Sequence, residues 1–260
     1  MGMKNLRVTL IQSQIHWEKK PANLQTFGQK LVPLAGQTDL VVLPEMFTTG
    51  FSMNAPALAE TMQGPTVQWL AEQAAALGAV VTGSFIAEDK GRFFNRLVWM
   101  QPDGTYALYD KRHLFTYAQE HHHYSPGTTP LIVEWMGWKI MPLICYDLRF
   151  PVWSRNVQNY DLLLYVANFP ERRRHAWTSL LTARAIENLA YVIGVNRVGK
   201  DGNDIYYSGD STLLDYAGQA LYSVSHVEDV FTITLSMQNL QEFRQRFAFL
   251  NDRDAFTLHT

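Results

Sequence analysis

Short apolar segments of strand character alternate with segments of helical period along almost the whole chain, and that alternation restricts the fold to the α/β class. Leu6 to Gln12 and Asp39 to Leu43 read as strands on either side of a helix around Ala22 to Leu34. Pro65 and Thr66 open a second helix with Leu70, Ala74 and Leu77 on one face, and Gly78 closes it. Ala79 to Ile86 is again a strand. Phe94 to Met100 and Tyr106 to Asp110 form a hairpin across Pro102, Asp103 and Gly104, where proline presets φ and glycine accepts the left-handed position. Leu131 to Trp135 and Lys139 to Ile144 pair across a tight turn at Gly137, and Asp161 to Ala167 follows as a strand. Arg174 to Leu189 is a helix carrying Trp177, Leu180, Leu181 and Ala185 toward the core. Tyr191 to Val195, Ser211 to Asp215, Gln219 to Val224 and Val230 to Leu235 complete the strands. Helices interleave early and hairpins come later, so mixed sheets layered against helices are expected.

No Ser/Gly linker, charge block or internal repeat divides the chain, and a single domain over residues 1–260 is expected. The longest irregular stretches, Phe47 to Gly64 and Phe115 to Thr129, have the length at which loops inside a compact domain are functional or mobile. With 47% hydrophobic and 18% charged residues the chain can bury a substantial core, and the 13% of aromatic residues leave rings to line a pocket. A formal charge of -2 makes no electrostatic case for nucleic acid or an anionic membrane as partner. No apolar stretch approaches the ~20 residues of a membrane helix, and the amino terminus runs into a strand without a signal-peptide pattern. With a single cysteine, these features point to a cytoplasmic protein.

That cysteine, Cys145, stands where the apolar run Met141 to Ile144 gives way to Tyr146, Asp147, Leu148 and Arg149. A lone thiol is either packed as a small hydrophobe or reactive. Phe150 and Pro151 read as the start of a helix, so Cys145 lies at the carboxyl end of a strand and near a helix amino end. Side chains there open into the crevice where open sheets bind ligands, and nearby backbone N–H groups favour a thiolate. A cysteine nucleophile also needs a base and a group to hold the oxyanion. Glu45 follows the run Val41 to Pro44, and Lys111 ends the hairpin strand that leads into His113, Leu114 and Phe115. Glutamate, lysine and cysteine, each at the end of an apolar strand, form a combination that chance produces less readily than any one of them. His113 and His175 offer a papain-like partner for the thiol, a pairing that leaves the glutamate and lysine unexplained.

Three segments carry a family resemblance: Leu43-Pro44-Glu45-Met46-Phe47, Tyr109-Asp110-Lys111-Arg112-His113-Leu114-Phe115, and Ile144-Cys145-Tyr146-Asp147-Leu148-Arg149-Phe150-Pro151. They resemble, in order, the signature blocks of the nitrilase superfamily of carbon–nitrogen hydrolases, with further likeness from the first strand (Val8, Leu10, Ile11, Gln12) to Gly209-Asp210-Ser211. Within it the chain is most similar to the omega-amidase branch, which hydrolyses the terminal amide of 2-oxo acid amides such as 2-oxoglutaramate and 2-oxosuccinamate. The resemblance implies a four-layer α-β-β-α sandwich, a homodimer involving the helix Trp177 to Leu189, and no metal or organic cofactor. It implies that Cys145 attacks the amide carbon, that Glu45 is general base and acid, and that Lys111 with the backbone N–H of Tyr146 holds the oxyanion. It implies also that Glu120 orients the lysine. A lysine beside the thiol is expected to favour thiolate. Carbamoylases, aliphatic amidases and nitrilases use the same groups, and a binding protein that keeps the fold is the non-enzymatic alternative.

His121, His122 and His123 depart from the family pattern; three consecutive imidazoles do not share one face of a helix or strand, and no metal site is expected. A 2-oxo acid amide presents a carboxylate, which calls for a cationic or N–H site. Arg172, Arg173 and Arg174 follow the strand end at Asn168-Phe169-Pro170, and Arg172 and Arg173 are taken as candidates. Arg149 is expected to brace its turn through a salt bridge. Phe47, Phe115, Tyr117, Trp153 and Phe169 are the candidates for pocket walls.

Overall fold

Two sheets stacked face to face, each covered on its outer side by helices, make up the computed structural model, which describes residues 4–258. The first part of the chain runs β1 (Leu6–Gln12), α1 (Lys20–Leu31), β2 (Leu40–Val42), α2 (Ala55–Leu58), α3 (Pro65–Leu77), β3 (Val80–Asp89), β4 (Arg92–Met100) and β5 (Tyr106–Asp110). The second runs β6 (Val133–Trp135), β7 (Trp138–Ile144), α4 (Pro151–Ser154), β8 (Leu162–Val166), α5 (Arg174–Asn188), β9 (Tyr191–Val195), β10 (Val198–Lys200) and β11 (Tyr206–Leu214). β12 (Ala220–Ser225), β13 (Asp229–Leu235) and α6 (Met237–Arg246) complete the order.

The first sheet has the order β13-β1-β2-β3-β4-β5, and the second β10-β11-β9-β8-β7-β6 with β12 added on β11. β1, β2 and β3 are parallel, as are β7, β8 and β9, while the flanking strands are antiparallel, so both sheets are mixed as the order of elements implied. Period-two alternation sorts the side chains. Leu6, Val8 and Leu10, Leu40 and Val42, and Leu97 and Trp99 face the second sheet, where they join Ile144, Leu162 and Leu164 in one core. Ile11, Val41, Val81, Val98 and Met100 face outward onto Phe27 and Leu31 of α1 and Val67, Leu70 and Ala74 of α3. On the far side α5 lays Trp177, Leu181 and Ala185 on β9 and β11. Gly194 permits that approach, since a Cβ there would come within 2.6 Å of Leu181 and Trp177. The layers are therefore helix, sheet, sheet, helix.

The termini of α3 follow the local signals, with Pro65 in the first turn and Gly78 at φ 64° as the left-handed cap. Other expectations need correction. The helix expected from Phe150 and Pro151 is the single turn α4, and Cys145–Arg149 forms its own 3-10 turn, so no long helix points its amino end at the thiol. β11 begins at Tyr206 rather than Ser211, because a bulge at Gly209/Ser211 interrupts the alternation by which a strand is read. β10 and α6 carry too few apolar positions to register in the pattern. Among the described residues no helix is long and apolar enough to cross a membrane.

Candidate active site

The two sheets meet chemically at the carboxyl ends of β2 and β8. The backbone N–H of Asn168, beyond β8, donates to Glu45 Oε2 at 2.8 Å, and its side-chain Nδ2 donates to the Glu45 carbonyl at 2.6 Å. Cys145, at the end of β7 beside β8, places Sγ 4.0 Å from the Asn168 carbonyl oxygen. Lys111 arrives from β5: its N–H donates to the Asn95 carbonyl and its own carbonyl accepts from Gly127. A side chain at 127 has no room there, since a Cβ would lie 2.1 Å from the Asp110 carbonyl oxygen.

Lys111 Nζ lies 2.9 Å from Glu45 Oε1 and 3.1 and 3.0 Å from the Glu120 carboxylate oxygens, with all three side chains closed to solvent. Asn95 Nδ2 donates to Glu45 Oε1 at 2.8 Å, and the Phe115 N–H donates to Glu120 Oε2 at 2.5 Å. The Phe51 ring stands 5.0 Å from Nζ. One ammonium is thus shared by two buried carboxylates, whose remaining lone pairs are met by amides. Desolvation pulls Lys111 down, but Glu120 and Glu45 outweigh it and hold its pKa well above the ordinary lysine value. The Glu120 pKa is raised by burial, with Lys111 opposing. Cys145 corrects an expectation: burial, reinforced by the charge of Glu45, pushes the thiol well above its ordinary range although Lys111 pulls the other way. Cys145 takes φ 45° and Met46, beside Glu45, takes φ 43°, a left-handed strain of about 1–3 kcal/mol that packing sustains at each strand tip.

These groups line a cavity of about 550 Å³. Its walls include Phe115, Tyr117, Phe169, Arg172 and Arg173 among the residues singled out in the sequence, along with Tyr146. The two long irregular stretches contribute Phe51 to Asn54, and Phe115, Tyr117 and Ala118. The three arginines separate. Arg174 pairs with Asp210 at 2.8 Å, Arg172 is exposed at the rim, and Arg173 is half-buried with its guanidinium 4.8 Å from the Phe115 ring and 5.8 Å from that of Phe169. Among the described residues no carboxylate lies within salt-bridge distance of Arg173.

Two aromatic candidates are misplaced. Phe47 is buried on the outer face of the first sheet, its ring 5.6 Å from Phe27 and 5.7 Å from Trp69. Trp153 is tied through Nε1 to the Tyr109 hydroxyl at 3.0 Å and turns away from the cavity. Arg149 forms no ion pair among the described residues and lines the cavity instead. His175 is exposed, and His113 Nδ1 lies 2.8 Å from Asp147, so neither imidazole serves the thiol. His121, His122 and His123 are exposed, in or beside the 3-10 turn whose first residue is the buried Glu120. Among the described residues no group of three or more His, Cys, Asp or Glu is spaced to hold a metal ion. Sequence reasoning missed Asn95 and Asn168, which hold the Glu45 carboxylate, and the cavity residues Trp17, Glu18 and Tyr207.

The arrangement supplies a thiol, a carboxylate and a fixed ammonium at one cavity. Residues 7–245 match the family model for carbon–nitrogen hydrolases. The chain is 47% identical to the Escherichia coli K12 protein named omega-amidase YafV, over 98% of this chain and 100% of that one. It is 30% identical to the 2-oxoglutaramate amidase of Bacillus subtilis, over 94% and 96% of the two chains. It superposes with a TM-score of 0.97 and 49% identity on the crystal structure of a CN-hydrolase superfamily protein from Xanthomonas campestris with an arsenic adduct in its active site, covering 99% and 100% of the chains. Site, fold and likeness together make this chain a member of the carbon–nitrogen hydrolase family, the nitrilase superfamily.

Proposed function

We propose that this protein is a cytoplasmic omega-amidase that hydrolyses the terminal amide of a small 2-oxo acid amide, 2-oxoglutaramate or 2-oxosuccinamate, with Cys145 as nucleophile. The observation that carries the reading is the pairing of the Glu45–Lys111–Cys145 cluster with the uncompensated Arg173 guanidinium on one cavity. Burial lowers the pKa of Arg173 and the thiolate form of Cys145 would raise it, yet an arginine stays protonated and ready for a carboxylate. Phe115 and Phe169 wall the carbon chain between the two ends, with Tyr117 and Arg172 at the mouth. Names of relatives at 47% and 30% identity support the same substrate class.

The steps proposed for these groups balance in protons and bonds. Glu45 takes the Sγ proton as sulfur attacks the amide carbon, and the carbonyl oxygen becomes an oxyanion. The Lys111 ammonium holds that charge together with the N–H of Tyr146, which has no acceptor inside its own 3-10 turn. Glu45, now a carboxylic acid, returns the proton to nitrogen; the C–N bond breaks, ammonia leaves and a thioester remains. Glu45 then deprotonates water, which attacks the thioester and releases the acid and the thiol. Glu120 keeps Lys111 in place throughout. Glu45 moves the proton at each step, so the cycle calls for no metal or organic cofactor.

A panel of 2-oxoglutaramate, an N-carbamoyl amino acid and an aliphatic nitrile, scored by ammonia release, tests the assignment. Turnover is expected on the first; preference for either of the others would overturn it. The reading extends to a homodimer, supported by the exposed apolar Ile186 on α5 and Val152 on α4, and a monomeric mass in analytical ultracentrifugation would remove that part.

A further inference from the structure

Lys111 and Cys145 sit at the tips of strands in different sheets, so no backbone ladder sets the distance between them. One buried carboxylate ties the two tips together. Asp147 lies two residues past Cys145 in the 3-10 turn and is closed to solvent. Its Oδ2 accepts from the Ile144 N–H at 3.1 Å, directly before the nucleophile, and from the Tyr109 hydroxyl at 2.7 Å. Its Oδ1 accepts from the His113 N–H at 2.9 Å and lies 2.8 Å from His113 Nδ1, which must carry its proton to bond to a carboxylate. Tyr109 and His113 flank Lys111 two positions away on either side. The contacts therefore grip the lysine segment at both shoulders and the cysteine strand at its end.

This is not how a fold is held at least cost. Burying a carboxylate is expensive, and among the described residues no lysine or arginine pairs with Asp147. Four donors directed at two oxygens suit only an acceptor with no N–H of its own. The tie is stiffened on its outer side: Trp153 Nε1 donates to the Tyr109 hydroxyl at 3.0 Å, and the His113 ring stacks on Phe150 at 3.6 Å.

We propose that Asp147 is a positioning residue for the hydrolysis, setting the place of the Lys111 ammonium relative to Cys145 and so the geometry of the oxyanion site. The proposal rests on the assignment of Lys111 and Cys145 given under Proposed function. A displacement of ~1 Å at a reacting centre costs on the order of a hundredfold in rate, and Asp147→Asn is expected to lower kcat by about that factor with KM little changed.

The test is a double-mutant cycle on ammonia release from 2-oxoglutaramate, comparing wild type, Asp147→Asn, Lys111→Met and the double variant, each kept below its measured unfolding temperature. If Asp147 acts through the lysine, adding Asp147→Asn to Lys111→Met lowers kcat by less than about threefold. Tyr109→Phe keeps the ring in the core and removes one donor; it is expected to lower kcat by roughly threefold to tenfold, and not at all in the Lys111→Met background. This second cycle carries the test if Asp147→Asn does not fold. An equal loss in both backgrounds would overturn the proposal and leave Asp147 a purely structural residue, as would a rise in KM with kcat intact. Near-normal turnover in Lys111→Met alone would overturn the assignment of the lysine, and the proposal with it.

Discussion

Replacing Lys111 with methionine leaves an apolar chain of similar length in a space closed to solvent and takes away the one cation shared by Glu45 and Glu120. Glu45 keeps Asn95 Nδ2 and the Asn168 N–H, both at 2.8 Å, and remains satisfied as a carboxylate. Glu120 keeps only the Phe115 N–H at 2.5 Å and a long 3.5 Å contact from Asn95. The uncompensated charge therefore falls on Glu120, whose pKa is already raised by burial. Breaking a buried pair by removing one partner costs ~3–5 kcal/mol, and at ~2–4 °C per kcal/mol for a chain of this size Tm should fall on the order of 10 °C. With Lys111 as the proposed oxyanion donor, its loss should lower kcat by about a hundredfold to a thousandfold. The double variant Lys111→Met/Glu120→Gln removes the stranded charge, so it should regain most of the lost Tm while turnover stays low. In Lys111→Met the folded-state pKa of Glu120 is raised, so the destabilisation is present above the ordinary glutamate range and disappears as pH falls into it. Differential scanning calorimetry and ammonia release read the two quantities separately. A wild-type Tm in Lys111→Met, or a double variant as labile as the single one, would refute the charge balance described.

Arg173→Met should raise KM for 2-oxoglutaramate by roughly tenfold to a hundredfold, the value of a charged hydrogen bond, and leave hydrolysis of an aliphatic amide without a carboxylate unchanged; equal effects on both would remove Arg173 from substrate binding. Glu45→Gln should lower turnover by about a hundredfold or more and, by taking away the carboxylate that helps raise the Cys145 pKa, shift alkylation of the thiol by iodoacetamide to lower pH. An alkylation profile that stays in place or moves up would contradict the assigned balance of Glu45 and Lys111 on the sulfur. Gly127→Ala drives a methyl toward the Asp110 carbonyl and should cost ~1–3 kcal/mol while displacing Lys111, visible as a lower Tm with a loss of kcat.

Much of this site was legible because Glu45 and Cys145 each close an apolar run and Lys111 ends a hairpin strand, which placed all three at strand tips before any tertiary contact was known. The amides that hold Glu45 gave no such signal. Asn95 sits inside β4 and Asn168 just beyond β8, and nothing in their neighbourhoods separates a buried, bonded amide from an ordinary one. The aromatic walls were half readable for a related reason. Phe47 follows Glu45 closely, but its N–H continues the pairing with β3 at Ser84, and that turns its ring out onto Phe27. The upward shift of the Cys145 thiol was not readable because proximity to a lysine can be inferred along the chain, whereas burial, the first cause of the shift, cannot. The bulge in β11 and the sparse apolar positions of α6 concealed those elements in the same way, by breaking the period on which the reading depends.

The central claim is that sulfur carries the acyl group between the departure of ammonia and the arrival of water. Intact-protein mass spectrometry of enzyme quenched in acid during turnover of 2-oxoglutaramate tests it directly. The account predicts a covalent acyl adduct that maps to the peptide bearing Cys145 and is absent in Cys145→Ala, which releases no ammonia. Ammonia release that survives in Cys145→Ala would contradict it.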